Sequence, residues 1–108
     1  MPEFSIADED VAERMIKEGK SVFIRFWAPW CGPCRAMKST LVSVADKNEG
    51  VVFLEINVDE NPILPLTYDI RAIPTYIVFK DGEVVDQIIG MTSSAKIQKL
   101  INMIIQAG

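Results

Sequence analysis

The stretch RFWAPWCGPCRAM, residues 25–37, carries both cysteines of the chain, Cys31 and Cys34, with Gly32 and Pro33 between them. It opens in an apolar, aromatic run and closes in helix-favouring residues, so the pair falls where a strand passes into a helix. Helix N-termini present unsatisfied N–H groups and a partial positive charge, which stabilise a thiolate and lower its pKa. Cys31, at the tip, gains most from that field. Cys34, one turn inside, is close enough for the two sulfurs to bond. Pro33 suits a first helical turn, where a missing N–H costs nothing, and Gly32 lets another backbone approach. Such a pair can exchange disulfides: Cys31 attacks a substrate disulfide, and Cys34 then attacks the mixed disulfide. The alternatives are an inert bridge and a metal site. A disulfide closing so short a loop removes little chain entropy and is a weak staple. Zinc takes about four ligands, while this chain has no histidine and no third cysteine, so no metal is expected.

The segments around the pair supply its setting. SVFIRFWA (21–28) and VVFLEINV (51–58) read as strands buried on both faces. A helix from about Pro33 to Lys47, with Met37, Leu41 and Val44 in register, joins them into a right-handed βαβ unit with parallel strands. Upstream, SIADEDVAERMIKEGK (5–20) reads as a helix. Cap-type residues lie between Ser5 and Asp8, Val11, Met15 and Ile16 share a face, and Gly19 ends it. Downstream, DENPILPLTYD (59–69) is a loop with at most a short helix, since Pro62 and Pro65 limit it. TYIVFK (75–80) and EVVDQIIG (83–90) flank Asp81-Gly82, a two-residue hairpin signal that adds an antiparallel edge. Ser93 caps a last helix with Ile97, Leu100, Ile101, Ile104 and Ile105 in an apolar stripe. The fold class is α/β: one domain, 1–108, with a central mixed sheet and helices on both faces.

Composition narrows the function classes. Hydrophobic residues at 49% and charged residues at 24% fit a globular domain and not a disordered one. The net charge is −4, with Lys and Arg scattered singly, so neither nucleic acid nor an anionic membrane is an expected partner. No apolar run approaches the roughly 20 residues that cross a bilayer. The acidic start lacks the basic and apolar regions of a secretory signal, and the expected location is cytoplasmic.

Five blocks carry a family resemblance: WCGPC (30–34) after Phe26-Trp27, INVDENP (56–62), IRAIPT (70–75), FKDGE (79–83) and IIG (88–90). In this order and spacing, from about residue 8 to 105, the chain resembles thioredoxin. The resemblance implies the thioredoxin fold and reduction of disulfides in client proteins, with Cys31 attacking and Cys34 resolving. It implies re-reduction by a thioredoxin reductase on which NADPH and flavin reside, so the chain itself would hold no cofactor and would act as a monomer. Trp30, Gly32 and Pro33 would form the active-site loop. Ile73-Pro74 would be a cis bond whose Ile73 backbone faces the cysteines and pairs with an extended client chain. Val58, Ile73, Pro74, Ile89, Gly90 and Met91 would bind clients beside Trp30, and Trp27 would pack beneath the site. Two other uses of the fold stay open: an oxidase or isomerase, which usually has another dipeptide between the cysteines, and a thiol-independent binding module.

Arg25 and Glu55 depart from the resemblance. Thioredoxins place a buried aspartate and a lysine at these positions, and here the signs are exchanged. Each charge would be costly to bury alone, which favours a buried pair; the alternative is that Arg25 snorkels to water and Glu55 is exposed. Arginine cannot serve as a general base. The pair is expected to raise the reduction potential above the roughly −270 mV of thioredoxin, by a few tens of millivolts at most because Glu55 neutralises the guanidinium. Glu55 could relay protons if it reached toward Cys34. Ser39 stands where the family has a kinking proline, so a straighter helix is expected.

Overall fold

The apolar run at 22–27 becomes the middle strand of a five-stranded sheet. The computed structural model describes residues 5–105, and the ends of the 1–108 span lie outside these described residues. Along the chain come β1 (Ser5–Ile6), α1 (Glu9–Lys17), β2 (Val22–Trp27), α2 (Gly32–Ala36), α3 (Lys38–Asp46) and β3 (Val52–Asn57). They are followed by α4 (Ile63–Thr67), β4 (Thr75–Lys80), β5 (Glu83–Ile89) and α5 (Ser94–Ile105). The sheet order is β1-β3-β2-β4-β5. β2 and β3 are parallel, as a βαβ crossover requires, while β4 runs antiparallel to β2 and β5 to β4.

Alternation along β2 builds two apolar layers. Phe23 joins Phe53, Tyr76 and Val78 against Leu41 and Val44 of α3 and Ile97, Leu100, Ile101 and Ile104 of α5. Ile24 and Phe26 join Leu54, Ile56, Ile77 and Phe79 against Ala12 and Ile16 of α1 and Leu64 of α4. Val11 and Met15 pack at the margin of that second layer. The β4–β5 turn is the expected two-residue hairpin: Asp81 and Gly82 both take positive φ, 54° and 85°, as a type I′ turn demands. Ser93 caps α5, its Oγ accepting from the Lys96 N–H at 3.2 Å.

Three expectations are corrected. Ser5 and Ile6 are not helical; they pair with Leu54 and Glu55 as a short parallel edge strand. The helix starts after Asp8, whose Oδ1 accepts from the Val11 N–H at 2.9 Å. The helix after the cysteines is not straight, because it breaks at Met37 between α2 and α3. A proline is not needed for that break. It falls where two neighbouring side chains are anchored differently, Met37 in the core and Lys38 on Glu55. Ile105 is 43% exposed and leaves the α5 stripe, as it lies one position past Ile104 in the final turn.

Candidate active site

Cys31 is the N-cap of α2, with extended backbone (φ −87°, ψ 106°), and Pro33 occupies the first turn. The Cys34 N–H donates to Cys31 Sγ at 3.2 Å. The first thiol thus takes the place of the usual hydroxyl or carboxylate cap, and its sulfur receives one of the helix's orphan N–H groups. The two residues are disulfide-bonded, with Cα atoms 5.3 Å apart. Cys31 is 5% exposed and Cys34 fully buried, so an approaching group meets Cys31 first.

Around the pair, Trp30 is two-thirds exposed and its Nε1–H donates to Asp59 Oδ2 at 2.8 Å, tying the cysteine loop to the β3–α4 loop. Arg35 Nη1 donates back to the Pro29 carbonyl at 2.8 Å. Ile73-Pro74 is cis, and the Pro74 carbonyl accepts from the Gly90 N–H at 2.7 Å. Gly90 has φ 88°, a conformation that favours glycine. A groove of about 190 Å³ runs between Trp30, Val58, Pro65, Ile70, Arg71, Ala72 and Ile73. A second, of about 390 Å³, shares Ile70, Arg71 and Ala72 and ends at Gln87 and Ile89. Trp30, Val58 and Ile73 therefore meet in one depression, and Ile89 closes the next. Met91, 59% exposed, lines neither.

Behind the cysteine turn, Arg25 and Glu55 face each other across the β2–β3 ladder, 2% and 5% exposed. Arg25 does not snorkel. Its Nε lies 3.4 Å from Glu55 Oε2, and its guanidinium sits 5.0 Å from the centre of the Trp27 ring. Burial pushes the Arg25 pKa below its ordinary value, and the Glu55 carboxylate opposes that shift; the group stays charged. Sequence reasoning missed two members of this cluster. Lys38 Nζ reaches the same Glu55 oxygen at 2.9 Å, and Tyr76 lies opposite Arg25 in β4. Lys38 stands four residues after Cys34, a helical spacing that could have pointed to it. Asp59, Ile70, Arg71 and Ala72 were also missed, although Asp59 lies within INVDENP and the other three within IRAIPT.

The thioredoxin family model matches residues 3–103. The chain belongs to the thioredoxin family. Its sequence is 38% identical to the thioredoxin of Chlorobaculum thiosulfatiphilum over 100 residues, covering 92% of this chain and 93% of that one. It is 36% identical to the thioredoxin of Porphyra purpurea over 98 residues, covering 90% and 92%. Among solved structures, a mutant thioredoxin from Halobacterium salinarum superposes with a TM-score of 0.89 at 26% identity, over 98% of this chain and 94% of that one. As a thioredoxin with its cysteine pair in place, the chain is a thiol-disulfide oxidoreductase of the protein-disulfide reductase type. Thioredoxins work through their redox-active disulfide without a cofactor. Among the described residues no group of three or more His, Cys, Asp or Glu is placed to hold a metal ion. Among them, too, no helix is long and apolar enough to cross a membrane.

Proposed function

We propose that this thioredoxin reduces client-protein disulfides with Cys31 as the attacking thiol and Cys34 as the resolving one. The Cys31 thiolate attacks a client sulfur, the client S–S bond breaks, and a mixed disulfide forms as one client thiolate leaves. Cys34, giving up its proton, attacks Cys31 Sγ; the mixed disulfide breaks, the second client thiolate leaves, and the Cys31–Cys34 disulfide forms. Two electrons pass to the client. The observation that carries these roles is the capping geometry, because the Cys34 N–H aimed at Cys31 Sγ stabilises charge on that sulfur. Trp30, Val58, Ile73, Pro74, Ile89, Gly90 and Met91 receive the client, with Gly32 and Pro33 shaping the turn between the thiols. The grooves beside Trp30 and Ile73 support that reading.

Recharging by a thioredoxin reductase, which carries the NADPH and flavin, completes the cycle. The chain acts as a one-domain monomer, since both thiols and the whole rim come from one chain, and as an electron carrier for redox homeostasis. Its working compartment is the cytoplasm, where thiols are kept reduced. Insulin reduction driven by dithiothreitol tests the chemistry. Cys31→Ser should abolish turnover, and Cys34→Ser should leave the chain trapped on its client. Wild-type turnover by Cys31→Ser would refute the assignment.

A further inference from the structure

Hydrogen bonds fold the cysteine turn back on itself. The Cys31 N–H donates to the Ala28 carbonyl at 3.1 Å, the Arg35 N–H to the Cys31 carbonyl at 3.2 Å, and the Cys34 N–H to Cys31 Sγ at 3.2 Å. One more is made by a side chain: Arg35 Nη1 donates to the Pro29 carbonyl at 2.8 Å. This bond starts on the residue after Cys34 and ends on the carbonyl before Trp30, so it closes a ring around both thiols. Pro29 and Arg35 are exposed. Water can serve either group, so the contact adds little to global stability. Its effect is to restrict the backbone between residues 29 and 35. In the oxidised chain the Cys31–Cys34 disulfide already imposes much of that restriction. In the reduced chain, and in a mixed disulfide with a client, the two cysteines are no longer joined, and the arginine bond is the tie that still spans them.

We propose that Arg35 is a positioning residue for the resolving step: its side chain braces the turn from Pro29 and keeps Cys34 within reach of Cys31 Sγ while a client is attached there. The inference rests on the proposed roles of Cys31 and Cys34. In that step Cys34 gives its proton to solvent and its sulfur attacks Cys31 Sγ. The bond from Cys31 to the client breaks, the client sulfur leaves as thiolate with the electron pair, and the Cys31–Cys34 bond forms. A turn already held in shape loses little freedom on closing, so the intramolecular attack is fast and the disulfide is favoured. Without the brace, the reduced turn gains freedom that the oxidised turn cannot share. The reduced state is then stabilised and the couple becomes more oxidising. Acting only as a charge, the guanidinium would give the opposite sign: its removal would disfavour thiolate and make the couple more reducing. The direction of the shift separates the two roles.

The full chain and Arg35→Met are equilibrated with reduced and oxidised glutathione, and the reduced fraction is read by alkylation and mass spectrometry. The buffer holds about 1 M potassium chloride, where a screening length of about 3 Å suppresses the field of an exposed charge. Arg35→Met should shift the equilibrium about three- to tenfold toward a more oxidising couple, tenfold being about 30 mV. Insulin turnover quenched in acid should show more of the covalent adduct between chain and insulin in Arg35→Met than in the unmodified protein, because resolution is slowed. A purely structural role would lower the urea midpoint of the oxidised chain and leave the equilibrium in place. An unmoved equilibrium, a shift toward a more reducing couple, or equal adduct in the two proteins overturns the inference. Insulin reduction by the unmodified chain is measured alongside: its absence refutes the proposed client chemistry, while its presence with an unmoved equilibrium refutes only the brace.

Discussion

Tyr76 lies directly across the β2–β4 ladder from Arg25, fully buried, and among the described residues its hydroxyl has no hydrogen-bond partner. Burial pushes its pKa up to about 12, against the opposing pull of Arg25, whereas a tyrosine in the unfolded chain titrates at about 10. The folded state therefore holds the proton more tightly. Stability linked to Tyr76 is fully present below about pH 10 and is lost as pH rises toward 12, by roughly 2–3 kcal/mol. Tyr76→Phe should lack this loss and gain up to about 1 kcal/mol at pH 7, since it removes an unsatisfied hydroxyl. Urea unfolding of both proteins from pH 7 to 11 measures the difference. Burial also raises Tyr68, but Tyr68 is common to both proteins and cancels. Parallel pH curves for the two would rule Tyr76 out.

In the reduced chain, Cys31 should react with iodoacetamide before Cys34 near neutral pH. Its sulfur caps α2, and Cys31 is the more exposed residue of the two. Peptide mapping after brief labelling reads the order, and earlier labelling of Cys34 would reverse the roles assigned to the pair.

Trp30→Ala should weaken client handling without unfolding the chain. The indole is 66% exposed, so little core is lost and the stability change should stay within about 0.5 kcal/mol. A contact aromatic of this kind is worth about 1–2 kcal/mol in binding, so KM for a protein disulfide should rise roughly tenfold. Reduction of a small disulfide such as oxidised glutathione should change less. An equal loss on both substrates would place Trp30 in the chemistry itself.

Asn48 offers the converse case, stability without activity. At 8% exposure its Nδ2 donates to the Val44 carbonyl at 2.7 Å and to Gln98 Oε1 at 2.8 Å, while Gln98 Nε2 donates back to Asn48 Oδ1 at 3.0 Å. The reciprocal amide pair joins the end of α3 to α5. Asn48→Ala should cost about 1–3 kcal/mol, because Gln98 Oε1 loses its donor and the Val44 carbonyl loses the Asn48 amide, while Gln98 Nε2 keeps only its bond to Asn102 Oδ1, and the midpoint of urea unfolding checks this. The glutathione equilibrium of the thiols should not move.

Legibility in the sequence followed the range of the forces involved. Cys31 and Cys34 declared their chemistry because the strand-to-helix setting is local, and Asp81-Gly82 declared its turn because positive φ is a property of those two residues. Arg25 and Glu55 could be matched across strands because each broke an apolar run at the same depth. The edge strand at Ser5–Ile6 left no such trace: two residues have no periodicity, and their partners lie nearly fifty positions away. Lys38 reads as an ordinary surface lysine until α3 is laid across β3. Tyr76 reads as a strand aromatic, and only packing reveals that its hydroxyl is stranded. The break at Met37 was hidden because an absent proline argued, wrongly, for a continuous helix.

The thiols are three positions apart, whereas the surfaces proposed to receive a client come from residues near 30, 58, 73 and 90, separate stretches brought together by tertiary structure. A denatured chain can close the Cys31–Cys34 bridge, since that loop needs no tertiary structure, but it has no cleft beside it. Counting free thiols is therefore blind to the conformational state of this protein, whereas turnover on a protein disulfide is a gauge of its native population. Across a urea titration, catalytic rate should vanish together with helical ellipticity, while the capacity to oxidise the pair persists in the unfolded baseline.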